Sequence, residues 1–112
     1  MPPRLLDTNP IVHFLTLNDV EKAERARAIF ERVERGTETV LVPPLVVFET
    51  IFILQRHHRT TRQQIVASVR PIIELPGFML EDKHIWLAAL DLYGRQGIAF
   101  ADAYNVAYMR AH

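Results

Sequence analysis

Three acidic residues stand where folding alone gives little reason for them: Asp7 in "LLDTNPIV", Glu49 in "VPPLVVFETIFIL" and Asp102 in "FADAYNVAYM". None has a lysine or arginine as a chain neighbour. Carboxylates are hard oxygen donors, and three that converge on one point would suit Mg²⁺ or Mn²⁺ rather than a softer metal. An ion held in this way generates hydroxide from water and stabilises charge on a transferring phosphoryl group. The chemistry to look for is metal-assisted attack of water or transfer of a phosphoryl group.

Each acid also has an ordinary explanation. Asp7 precedes a Thr-Asn-Pro that reads as a helix start, so it can serve as a helix N-terminal acid. Asp102 can be an N-terminal cap. Glu49 can pair with a distant arginine, but it lies in an almost wholly apolar run with Val46 and Ile53 as helical neighbours. That position is expected to be buried or half buried, where an unpaired carboxylate would cost several kcal/mol or protonate.

Rival chemistries find little support. There is no cysteine, which removes a disulfide framework and thiolate metal sites and fits a reducing cytosol. The adjacent His57 and His58 point to different faces of a helix and make no zinc site. His13 and His84 read as lone surface histidines. No Gly-rich phosphate loop or nucleophile elbow is present.

The elements that must position the acids follow from periodicity. Arg4–Leu6 predicts a first strand, which leaves Asp7 at its carboxyl end, where ligands bind in open parallel sheets. Asn9 and Pro10 suit the start of a helix carrying Ile11, Phe14 and Leu15. Asn18 and Glu21 form a capping-box-like pair before a helix with Val20, Ala23, Ala26, Phe30 and Val33 on one face, stopped by Gly36. Thr39–Val42 predicts a second strand. Pro43 and Pro44 end it and open a helix from Leu45 to His57, apolar nearly all round and so expected to be largely buried. Thr60 or Thr61 caps a fourth helix that Pro71 should kink or end. Phe78–Leu80 predicts a third strand. A helix from Asp82 is broken by Gly94 and Gly97, and a last one starts near Phe100. The alternation implies an α/β fold with a parallel sheet covered by helices on both faces.

The chain has 112 residues, 49% of them apolar, which fits one compact domain over 1–112. No apolar run approaches a membrane span, because Pro43 and Pro44 cut the longest. No signal-peptide core precedes Asp7, so the cytoplasm is the expected location. Lys and Arg number 13, and Asp and Glu number 13. A neutral chain is no overt polyanion binder, and any nucleic-acid contact must rest on a local patch or a bound metal. Arg56, Arg59 and Arg62 in "QRHHRTTR" form one such patch, able to meet RNA phosphates, an acidic partner or simply solvent at a helix end.

Taken in order, the three acid-bearing stretches resemble the PIN-domain family, in particular the small VapC-type toxins of toxin–antitoxin pairs. The resemblance covers essentially the whole chain. It implies a PIN-like α/β fold and a Mg²⁺- or Mn²⁺-dependent ribonuclease in which Asp7, Glu49 and Asp102 are the catalytic and metal-binding acids. Thr8 is expected to help hold the metal site from outside. Asn105, one turn beyond Asp102, is expected to reach a metal-held water. The implied partners are an RNA substrate, a small antitoxin protein and a second copy of the chain in a homodimer. The family pattern continues with a further strand and a further acid. Here ten residues follow Asp102, none acidic, so the expectation is a domain lacking its C-terminal strand. The alternative is a non-catalytic PIN-like module that acts by binding a protein partner.

Overall fold

The structure, a computed structural model, describes residues 3–16, 19–57 and 60–112, with His57 described by its backbone alone. Among these residues, three strands alternate with pairs of helices: β1 (Arg4–Leu5), α1 (Thr8–Thr16), α2 (Val20–Arg35), β2 (Val40–Leu41), α3 (Pro44–His57), α4 (Arg62–Glu74), β3 (Phe78–Met79), α5 (Lys83–Gln96) and α6 (Phe100–Ala111). The strands pair in parallel in the order β1-β2-β3, with Arg4, Val40 and Phe78 in one register row and Leu5, Leu41 and Met79 in the next. Helix pairs serve as the crossovers that parallel strands require. The ladders are shorter than the apolar stretches predict, though Leu6 N–H to Leu41 O (2.9 Å) and Val42 N–H to Met79 O (2.9 Å) carry the backbone bonding one residue further.

Local chemistry sets the helix ends. The Asp19 side chain accepts from the Lys22 N–H to cap α2, and Gly36 closes that helix in the left-handed conformation at φ 80°, as its lack of a Cβ allows. Asn18, the expected cap, lies outside the described residues. Thr61 and Gln64 form a reciprocal capping box at the start of α4. Gly77, just before β3, is required by space: a Cβ there would meet Glu38 O and Val33 Cγ1 at 2.9 Å.

Several expectations need correction. The sheet is not covered on both faces: Leu6, Val40, Val42, Phe78 and Leu80 are buried, while Leu5, Leu41 and Met79, one register row on the other face, are 67, 45 and 44% exposed. Pro71 does not end α4, which runs on to Glu74. Pro71 and Ala67, whose carbonyl loses its helical donor, are both exposed, so the lost hydrogen bond falls on the solvent side of the helix while Ile72 and Ile73 still reach the core. Gly94 lies inside α5, where a Cβ would approach Val66 Cγ2 of α4 at 3.2 Å. Val20 is exposed, although the rest of its predicted stripe is buried.

The core is centred on an aromatic group between α3, α5 and α6. Trp86 stacks against Phe100 at 6.0 Å, and Phe48 meets Trp86, Phe100 and Tyr104 edge-on at 5.0, 5.6 and 5.3 Å. Among the described residues, no helix is long and apolar enough to cross a membrane.

Candidate functional site

Asp7 lies where the chain leaves β1 and enters α1. Its Oδ1 accepts from the Thr8 N–H at 2.7 Å, satisfying one of the backbone donors that a helix start leaves unpaired. The adjacent Thr8 is buried at 4% exposure, and its hydroxyl donates to Oε2 of Glu49 at 2.8 Å. One residue thus ties the acid at the strand end to the acid on α3, across 41 positions of chain.

Glu49 departs from expectation in its surroundings. It is exposed, as are Leu45 and Phe52 on the same helix, so α3 is not buried all round. Val46, Val47, Ile51 and Leu54 carry its core face. The carboxylate therefore needs no distant arginine, and among the described residues none pairs with it, nor with Asp7 or Asp102.

Asp102 is in the first turn of α6 and exposed, as is Asn105. Its helix docks beside Glu49, because Phe100 and Tyr104 both pack on Phe48. A groove of about 410 Å³ runs between α3 and the start of α6, lined by Phe48, Glu49, Phe52, Gln55, Phe100 and Ala101. Sequence reasoning missed this groove because its walls lie some fifty positions apart and read as ordinary core. Among the described residues, no group of three or more histidine, aspartate or glutamate side chains is placed to hold one metal ion. Asp7 and Glu49 are joined through Thr8, and Asp102 stands on the neighbouring element. The donors are all carboxylate or hydroxyl oxygens with no lysine or arginine partner among the described residues, a chemistry that fits a hard divalent cation.

The arginine patch is divided. The Arg62 guanidinium donates to Tyr93 O (3.2 Å) and to Ile98 O and lies 4.5 Å over the Tyr93 ring. Arg62 is thus an internal clamp at the end of α5, unlike the RNA contact expected of it. Arg56 is exposed, 5.1 Å over the Phe52 ring, and Arg59 lies outside the described residues. Beside the clamp, the Tyr93 hydroxyl accepts from Gln55 Nε2. Burial raises the Tyr93 pKa, against the opposing effects of Arg62 and Gln55. The Tyr104 phenol is raised by burial and then by Asp82, Tyr108 and Glu81, so neither phenol ionises near neutral pH.

A parallel three-stranded sheet with helical crossovers, an acid at the end of its first strand and a second acid bridged to it define a class that comparison with known proteins identifies. The PIN-domain family profile matches residues 4–112, and the chain belongs to the PIN-domain family. It is similar to the VapC ribonuclease of Aquifex aeolicus (strain VF5), at 29% identity over 99 residues that make up 88% of this chain and 73% of the relative. No solved structure matches it.

Proposed function

We propose that the chain is a Mg²⁺- or Mn²⁺-dependent ribonuclease, the toxin of a cytoplasmic toxin–antitoxin pair, with Asp7, Glu49 and Asp102 as the acids that hold the cation. Family membership and the similarity to a VapC ribonuclease support the class of activity. The observation that carries the site is the Asp7–Thr8–Glu49 connection at the carboxyl end of the sheet. Thr8 ties Glu49 to the strand end, and the proposal adds Asp102, in the first turn of α6, as the third acid. When bound, the cation supplies a hydroxide nucleophile and stabilises phosphoryl charge. The protein's part is to hold carboxylate oxygens ready and to keep lysine and arginine from neutralising them. Asn105, one turn along α6 from Asp102 and exposed, would be the residue to bind a water of the ion. A small antitoxin and a second copy of the chain are the proposed protein partners.

The test is cleavage of a labelled RNA in Mg²⁺ or Mn²⁺, with a thermal melt beside it. Asp7→Asn keeps an oxygen that can accept from the Thr8 N–H, so stability should move by about 1 kcal/mol at most. It removes a full charge from the metal site, and cleavage should be abolished. The wild type should also melt higher in millimolar Mg²⁺ or Mn²⁺, since an ion that binds only the folded chain stabilises it. Cleavage that persists in Asp7→Asn would reduce this acid to a helix cap and turn the reading toward a protein-binding module.

A further inference from the structure

Between α1 and α2 lies an open cleft of about 320 Å³, on a part of the molecule that the acids do not occupy. Its polar rim is Asn9, His13, Lys22 and Arg25, and its floor is Pro10, Ala26 and Ile29. The spacing explains the arrangement. Asn9 and His13 are one turn apart on α1, and Lys22, Arg25, Ala26 and Ile29 recur at helical intervals on α2. Lys22 and Arg25 are exposed and His13 is half buried. The nearby acids are already engaged: Asp19 caps α2 through the Lys22 N–H, and Glu21 pairs with Arg25 at 3.2 Å across two exposed side chains. A surface pair of that kind is weak and exchangeable, so an incoming anion can displace Glu21 from Arg25.

Asn9 is two residues beyond Asp7, so the cleft begins where the acidic strand end stops. We propose that this cleft binds the single-stranded RNA substrate beside the scissile bond, with Lys22 and Arg25 on backbone phosphates and one base on the apolar floor against His13; the proposal rests on the ribonuclease reading above. Two cations supply the sequence-independent attraction that a chain of zero net charge otherwise lacks. Stacking on an imidazole and a hydrogen bond from a side-chain amide are the usual means of holding an unpaired base. An acidic protein segment would use the cations but gain little from this floor and amide. Arg62 of the arginine patch, by contrast, is committed to backbone carbonyls.

The experiment compares wild type, Lys22→Gln/Arg25→Gln and the charge-retaining Lys22→Arg/Arg25→Lys for cleavage of a labelled single-stranded RNA across a salt series, each with a melt. Both α2 changes are on exposed positions, and Arg35→Ala, at the far end of the helix, is the control. The double Gln variant should raise KM at least tenfold with kcat unchanged. It should also flatten the slope of log affinity against log salt by about 0.7 for each phosphate that is no longer neutralised. The charge-retaining variant should restore both. If wild type cleaves RNA while KM and salt slope are unmoved in the double Gln variant, the cleft assignment is overturned and the ribonuclease reading stands. If wild type neither binds nor cleaves RNA, both fall together. Poly-glutamate competing as well as RNA at matched charge would assign the cleft to an acidic protein segment and overturn the proposal.

Discussion

Between α3, α5 and α6 the structure is held by aromatic rings in mutual contact: Phe48, Trp86, Phe100, Tyr104 and, edge-on to Phe100 at 5.6 Å, Tyr93. The α1–α2 arm has a single aromatic pair among its described residues, Phe14 with Phe30 at 4.7 Å. Its solvent face carries i,i+3 and i,i+4 ion pairs such as Arg27–Glu24 at 2.7 Å and Arg27–Glu31 at 3.4 Å. Burial scales with apolar area, whereas exposed ion pairs contribute little. The first region should therefore resist opening much more than the second. The candidate site joins them: Asp7 and Thr8 belong to the arm's first helix start, and Glu49 follows Phe48 into the aromatic region. The Thr8–Glu49 hydrogen bond is where the less anchored region takes its position from the firmer one.

The strongest way to break this contrast is Trp86→Ala. Trp86 is 1% exposed and touches Phe48, Phe100 and Tyr104. Its loss should cost about 3–5 kcal/mol, read as a drop in the denaturant midpoint. A matching loss from Phe14→Ala in the arm would show that the two regions are equally anchored.

Next in size is Arg62→Ala. Its guanidinium covers the carbonyl of Tyr93, one of the acceptors left open in the last turn of α5, and that of Ile98 in the connection to α6. Losing charge-assisted bonds at a half-buried position should cost about 2 kcal/mol. Arg62→Lys should not restore it, because one ammonium lacks the fork that spans two carbonyls while stacking on Tyr93. RNA affinity, measured where the variant is fully folded, should be unchanged, which separates a clamp from a residue that holds substrate.

This residue also marks how far the sequence could be read. The family and the α/β alternation were legible because each depends on neighbours within a few positions: Gly36 as a stop, Thr60 or Thr61 as a cap, the prolines before α3. Arg62 was not, because its acceptors lie 31 and 36 residues away. The exposure of Glu49 was hidden for a related reason: an apolar run says that a helix packs, not which of its sides is left open. Of the two outcomes read for Pro71, a kink or an end, the helix does not take the second: it continues to Glu74 with Pro71 on its exposed side. The open sheet face was likewise invisible, since Leu5, Leu41 and Met79 look in sequence like any buried strand residue.

Thr8→Val sharpens the comparison at the seam itself. Valine keeps the volume of a buried residue and removes only the hydroxyl that holds Glu49. Because Glu49 is exposed, its carboxylate can return to water, so stability should change by about 1 kcal/mol or less. Activity should respond more strongly. A carboxylate released from its orienting partner typically costs about 10–100-fold in metal affinity or rate, while Thr8→Ser, which retains the hydroxyl, should keep most activity. An unchanged metal-induced melting shift in Thr8→Val would mean that the arm positions Asp7 alone and that Glu49 takes its direction from α3.

The smallest effect is expected on the outer face of α2. Arg27 bonds both Glu24 and Glu31 and has its pKa raised, first by the hydrogen bond to Glu24 and then by the charges of the two glutamates. The direction is favourable, but the group is fully exposed, so solvent and salt screen the gain. Arg27→Ala also costs almost nothing in helix propensity, because alanine is the best helix former. The sign of the pH dependence follows from the raised value: any contribution is complete below the ordinary arginine range and would be lost only at strongly alkaline pH. Across the working range it is constant. Melts of Arg27→Ala and wild type in low and high salt should nearly coincide, with at most a small low-salt deficit that salt removes. A large salt-insensitive deficit would show that the arm leans on its ion pairs after all, and that its stability is not set by Phe14, Phe30 and the small residues beneath them.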